Sequence, residues 1–230
     1  MEYYIREDNG LDFSKYLSKC FLWMFFGLLA TFATSALFCY TGLFYEIISR
    51  MGIGFVVVCS VIEIVLVIIL SRSVSQLNAE KARALFFVYS IINGITLSSI
   101  FYVYDLTSII YIFLAAAAVF GIMAFIGYTT NIDLSKLGYF IPMALITMLI
   151  MGIILMFAFN SVLYLIYSLV GVGLFMGITA YDMHMIKRMY NESYSSEAKE
   201  ALAICGALEL YLDFINIFLH LLSLFARSKD

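Results

Sequence analysis

The chain has 230 residues, 64% of them hydrophobic and only 13% charged, whereas a soluble domain is about half apolar and a quarter charged. That balance excludes an ordinary soluble domain and predicts an all-α integral membrane protein. The formal charge of −3 says nothing about partners, and no basic arm or aromatic-basic interleaving points to nucleic acid. The four scattered cysteines, with no Cys-x-x-Cys spacing, read as small buried thiols rather than metal ligands.

Residues 1–18 are polar and read as a short tail ahead of a transmembrane domain over 19–227, with 228–230 as a second tail. A span needs about 20 apolar residues at about 1.5 Å each. Seven stretches qualify, at 20–40, 51–71, 84–104, 108–128, 139–159, 162–183 and 207–226. The first lacks a small-residue cleavage site and reads as a retained span. Very short links at 105–107 and 160–161 predict that spans three and four form one antiparallel hairpin, and spans five and six another. Ten basic residues, among them Arg6, Arg72, Lys136 and Lys187, fall on one side of this arrangement, and Arg50, Arg227 and Lys229 on the other. The positive-inside rule then expects the N-terminus in the cytoplasm and the C-terminus outside.

The seventh span carries a polar stripe. At about 100° per residue, Gly206, Glu209, Asp213, Asn216 and His220 share a narrow arc. Polar groups unpaired in hydrocarbon cost several kcal/mol, so this helix is expected at the centre of the bundle, wrapped by the other six. Four carboxylates, Glu63, Asp182, Glu209 and Asp213, fall inside spans, each costing about 2.5–3.5 kcal/mol at a helix centre. One such residue is explained by a protonated carboxyl bonded between helices. Four, with two at similar depth, point to function. Asp182 lies five residues inside Lys187, and Asp213 six residues inside a span counted from position 207, so the two aspartates are expected to meet. Two carboxylates in contact share one proton and lose it as pH rises. When ionised they offer oxygens to a divalent cation, with Asn216 and Glu209 as further candidate ligands.

Other features carry plainer expectations. Gly173, Gly177 and Ala180 form a small-residue face suited to close helix approach, with Gly171, Phe175 and Asp182 on the opposite face. Glu63 has no basic neighbour in sequence, and His220 is its first candidate partner. His220 is equally readable as a neutral hydrogen-bonding residue. His184 is expected to be solvated, and Asn93 to bond between helices.

Several stretches carry a resemblance. Glu209-Leu-Tyr-Leu-Asp-Phe-Ile-Asn-Ile-Phe resembles the last-span motif of the transmembrane Bax inhibitor motif family, the Bax inhibitor-1-like proteins. Tyr181-Asp182 with Lys187 is similar to its sixth span, Phe87-Val88-Tyr89 and Asn93 to Leu97 to its third, and Ile62-Glu63 to its second. The likeness covers essentially the whole chain and is to a bacterial-type member. It implies seven helices around a central seventh, and a pH-sensitive passive calcium leak with Asp182 and Asp213 as the proton sensor. Calcium is then the transported ion, with no cofactor and no enzymatic activity, in the plasma (inner) membrane, among lipid and with protein partners unspecified. In bacterial relatives an arginine at the end of span two latches one aspartate. Val74 stands at that position here, and Arg72 is the nearest candidate latch, about 200° around the helix. A second basic residue of such relatives is replaced by Ser223. Rival readings are a proton-coupled transporter, a non-conducting regulator of partner membrane proteins, and an intramembrane aspartyl protease. The protease reading is disfavoured because Tyr211-Leu212-Asp213 lacks the Gly-x-Gly-Asp pattern.

Overall fold

The computed structural model describes residues 2–52, 54–75, 79–158, 160–192 and 196–225; the side chains of 2–11, 71–75, 156, 158, 192, 196 and 197 lie outside the described set. The described chain is helical, in the order α1 (Glu2–Tyr40), α2 (Leu43–Met51), α3 (Gly54–Ser75), α4 (Ala79–Leu97), α5 (Ile100–Val103), α6 (Leu106–Thr129), a 3-10 turn (Leu134–Tyr139), α7 (Phe140–Ala158), α8 (Ser161–Glu192) and α9 (Ser196–Phe225). Six helices are long and apolar enough to cross a membrane, and a seventh span is present if α2 and the Gly54–Leu70 part of α3, bent by 106° at their junction, are counted together.

Three boundaries depart from the sequence expectation. The polar segment expected as a tail continues α1 from Glu2. The last two spans run well beyond their apolar stretches, α8 to Glu192 and α9 back to Ser196. Asp213 thus lies 17 residues into α9. The third departure is α2, a short helix bracketed by Gly42 (φ 71°) and Gly52 (φ 64°), where the left-handed backbone suits glycine. Glu46 and Arg50 pair one turn apart at 2.6 Å, and buried Phe44 stacks on Tyr102 at 5.8 Å.

The chain divides into two compact units, Met1–Val103 with Met189–Tyr211, and Tyr104–Arg188 with Leu212–Asp230. In the first, α1 and α3 pack on α4. Between apolar helices in lipid, packing and polar contacts must supply the attraction, so small residues mark the close approaches. A Cβ on Gly94 would stand 2.6 Å from the Thr31 carbonyl oxygen, and one on Gly27 would strike the Phe86 ring. At the Lys199 end, Arg83 ion-pairs with Glu200 and lies 5.7 Å from the Trp23 ring, while Lys199 sits 4.2 Å over Tyr190. Those contacts hold the polar first turns of α9 in helical form.

In the second unit, Ile109, Ala116, Phe120, Ala124 and Gly127 form the buried stripe of α6. Gly127 lets the α6 backbone meet that of α8 at Ala180. Phe113 and Phe120 meet Phe214 edge to face at 5.0 and 5.8 Å, fixing α6 against α9. Asn160 caps α8 by accepting from the amides of Val162 and Leu163, and Lys187 donates to the Tyr128 carbonyl at the end of α6. The expected packing face of Gly173 and Gly177 is not used: both are exposed, with nothing near a hypothetical Cβ, and only Ala180 of that set is buried. The contacts of α8 run instead through the faces carrying Gly171 and Ala180. Of the six candidate spans among the described residues α9 is the most buried, with 67% of its apolar stretch inside the protein against 6% for Leu134–Leu155.

Candidate functional site

The aspartates lie on two helices that turn matching stripes toward each other. Gly171, Phe175, Ile178 and Asp182 recur at helical spacing and so share one face of α8. That face meets α9 where Gly171 leaves room for the His220 imidazole, whose ring stacks at 5.8 Å on Phe175 and lies 5.3 Å from Tyr167. On α9, His220 shares its face with Asn216 and Asp213. Tyr164 meets Ser223 and Gly171 meets His220, pairs that run in opposite senses along the two helices, so α8 and this part of α9 are antiparallel. Carried along both axes from Gly171 and His220, this register sets Asp213 level with Ile178, and Asp182 about 6 Å further on.

Their surroundings differ. Asp213 is 2% exposed beside Phe214, whose ring is enclosed by Phe113 and Phe120, while Asp182 is half-buried. Both are engaged by other groups of the protein. The Asn216 amide nitrogen is spent on the Leu212 carbonyl of its own helix at 2.8 Å, leaving its oxygen as the only donor atom for an ion. Glu209 is half-buried and accepts from Cys205 one turn earlier at 3.7 Å. Among the described residues no three His, Cys, Asp or Glu side chains stand close enough to hold a metal ion. The Arg72 side chain, the candidate latch, lies outside the described residues.

Within the first unit, Glu63 is taken up by α4. The Thr96 hydroxyl of α4 donates to its carboxylate, and the Asn93 amide of α4 also engages it. His220 is taken up by the rings of α8. Where a basic partner is expected for Glu63, α4 supplies neutral donors. His184 is also less solvated than expected, for its Nδ1 is buried with no hydrogen-bond partner among the described residues.

Tyr211, which the sequence does not single out, ties α9 to α1 and α4 within the first unit. Tyr211 is fully buried, its ring held edge-on by Phe86 and Tyr89 at 5.7 and 5.8 Å. Its hydroxyl lies 2.6 Å from Thr31 Oγ1 on α1 and donates to Asn93 Oδ1 on α4 at 3.0 Å. Among 17 tyrosines nothing in the sequence singles it out. The available signal is that a tyrosine buried in hydrocarbon must find a partner for its hydroxyl.

Comparison with known proteins gives a consistent assignment. The family model described as inhibitor of apoptosis-promoting Bax1 matches residues 13–230. The inner membrane protein YbhL of Escherichia coli is 35% identical over 216 residues, covering 93% of this chain and 92% of that one. A Borreliella burgdorferi protein is 36% identical over 94% of both chains, and a Rickettsia prowazekii protein 33% identical over 97% of this chain and 93% of its own. With a family match over nearly its whole length and relatives aligned end to end, this multi-helical membrane chain belongs to the Bax inhibitor-1-like family.

Proposed function

We propose that the protein is a passive, pH-responsive calcium leak in a bacterial inner membrane, with Asp182 and Asp213 acting as one proton-sensing unit. The observation that carries the reading is Asp213 itself, a carboxylate 2% exposed on the most buried span, on the face that meets the Asp182 stripe of α8. Burying such a group is costly and calls for a use. One proton held between the aspartates favours the open state, and its loss as pH rises favours closure. Calcium passes as cargo, ligated transiently by carboxylate and amide oxygens rather than held at a resident site. The inner-membrane location follows the name of the E. coli relative, and the basic-residue distribution puts the N-terminus in the cytoplasm and the C-terminus outside.

The experiment is calcium entry into sealed liposomes carrying the purified chain, followed together with internal pH. A leak moves calcium down its gradient at a rate unaffected by a proton ionophore. Calcium entry that requires an opposing proton gradient would make the protein a coupled transporter instead. No calcium entry at any pH would favour a non-conducting regulator.

A further inference from the structure

Thr31, Asn93, Thr96, Tyr211 and Glu63 form a continuous polar chain through the first unit, joining α1, α4, α9 and α3. From one end, Thr31 Oγ1 stands 2.9 Å from the Ser90 carbonyl and 3.0 Å from that of Gly27. It is 2.6 Å from the Tyr211 hydroxyl, which lies 3.0 Å from the Asn93 amide. Asn93 and Thr96 both engage Glu63 at the other end. The groups that face Glu63 are Cys59 of α3, Tyr89, Asn93 and Thr96 of α4, and Tyr211 of α9. Among the described residues no cationic side chain pairs with it.

Proton counting makes this chain directional. Thr31 and Tyr211 have one hydroxyl proton each, and the Asn93 amide has a donor end and an acceptor end. If Glu63 is ionised, Asn93 turns its NH2 toward the carboxylate and its oxygen toward Tyr211. Tyr211 then donates to Asn93, and Thr31 donates to Tyr211. If Glu63 takes a proton, its O–H donates to the Asn93 oxygen and the NH2 end turns to Tyr211. Tyr211 must then donate to Thr31, and Thr31 to the Ser90 or Gly27 carbonyl. Phe86 and Tyr89 hold the Tyr211 ring edge-on, so the change is made by hydroxyl protons and the amide rather than by ring movement.

We propose that Glu63 is a second proton-binding site, separate from the aspartates, and that Asn93 and Tyr211 transmit its protonation state to α1 and α9. Tyr211 donating to Asn93 Oδ1 is the orientation the ionised form uses, while Thr31 Oγ1 stands within reach of both the Tyr211 hydroxyl and the Ser90 and Gly27 carbonyls and so can serve either form. The site takes a proton and no metal. It stands independently of the calcium-leak reading, because it needs neither conduction nor the aspartates.

The test uses the full chain in detergent and reads thermal stability against pH, not flux. In an Asp182→Asn, Asp213→Asn background the melting temperature keeps a pH-dependent step. Adding Glu63→Gln removes that step. Adding Tyr211→Phe, which deletes one oxygen and keeps the ring, displaces its midpoint by about half a pH unit or more, a threefold change in proton affinity. Should Glu63→Gln fail to fold, Thr96→Val takes its place, removing a donor to the carboxylate and displacing the midpoint in the same way. A step unchanged by these variants, or no step in the aspartate-free background, overturns the proposal and leaves the leak reading untouched.

Discussion

The imidazole of His220 occupies the space where a side chain on Gly171 would begin, so α8 and α9 are keyed together by one glycine and one ring. Gly171→Ala forces the ring aside and should cost about 1–3 kcal/mol. His220→Ala removes the obstacle along with its contacts to Phe175 and Tyr167. In the double variant, Gly171→Ala should then add far less than it does alone, because the two residues share one contact. Thermal unfolding of the four proteins in detergent measures the coupling directly.

Two sets of glycines should respond oppositely to the same change. Gly94 lies against the Thr31 backbone, where neither atom can yield without moving a helix. Gly94→Ala should cost about 1–3 kcal/mol and separate α4 from α1. Gly173 and Gly177 face open space, so alanine there should be neutral or stabilise by up to about 1 kcal/mol through helix propensity. Melting temperatures of the single variants decide between these outcomes.

What the sequence disclosed, and what it hid, follows from the range of the interactions involved. Hydropathy located the apolar stretches because lipid imposes its length on a helix regardless of neighbours. It did not locate the ends of α8 and α9, since the polar turns at 184–192 and 196–200 are held as helix by tertiary contacts such as Arg83 with Glu200 and Lys199 over Tyr190. The elbow helix α2 was overlooked although its brackets, Gly42 and Gly52, and its Glu46–Arg50 pair were all readable. The stripe on α9 was legible because spacing alone places Asp213, Asn216 and His220 on one face. The pairing of Glu63 with Thr96 was not, because sequence spacing says nothing about which residue of another helix arrives opposite.

The loop before α7 offers a pH prediction outside the membrane spans. Hydrogen bonding by the Ser135 side chain, and by the Ser135 amide from which Asp133 accepts at 3.0 Å, holds the Asp133 carboxyl below the usual carboxylate range. A group depressed in the folded state stabilises above its unfolded pKa and loses that contribution as pH falls through the folded one. The turn at Leu134–Tyr139 should therefore keep its full protection from hydrogen exchange at neutral pH and loosen only below about pH 4. Asp133→Ala should show the loosened exchange at neutral pH, with the pH response of the remaining protein unchanged.

The proposal that Asp182 and Asp213 share one proton is tested by calcium flux into liposomes across pH for the native protein, Asp182→Asn, Asp213→Asn and the double variant. If the two carboxylates act as one unit, native flux falls as pH rises, each single change abolishes most of that dependence, and the double change adds little. Equal and additive contributions from the two positions, or a pH dependence that survives the double change intact, would contradict it.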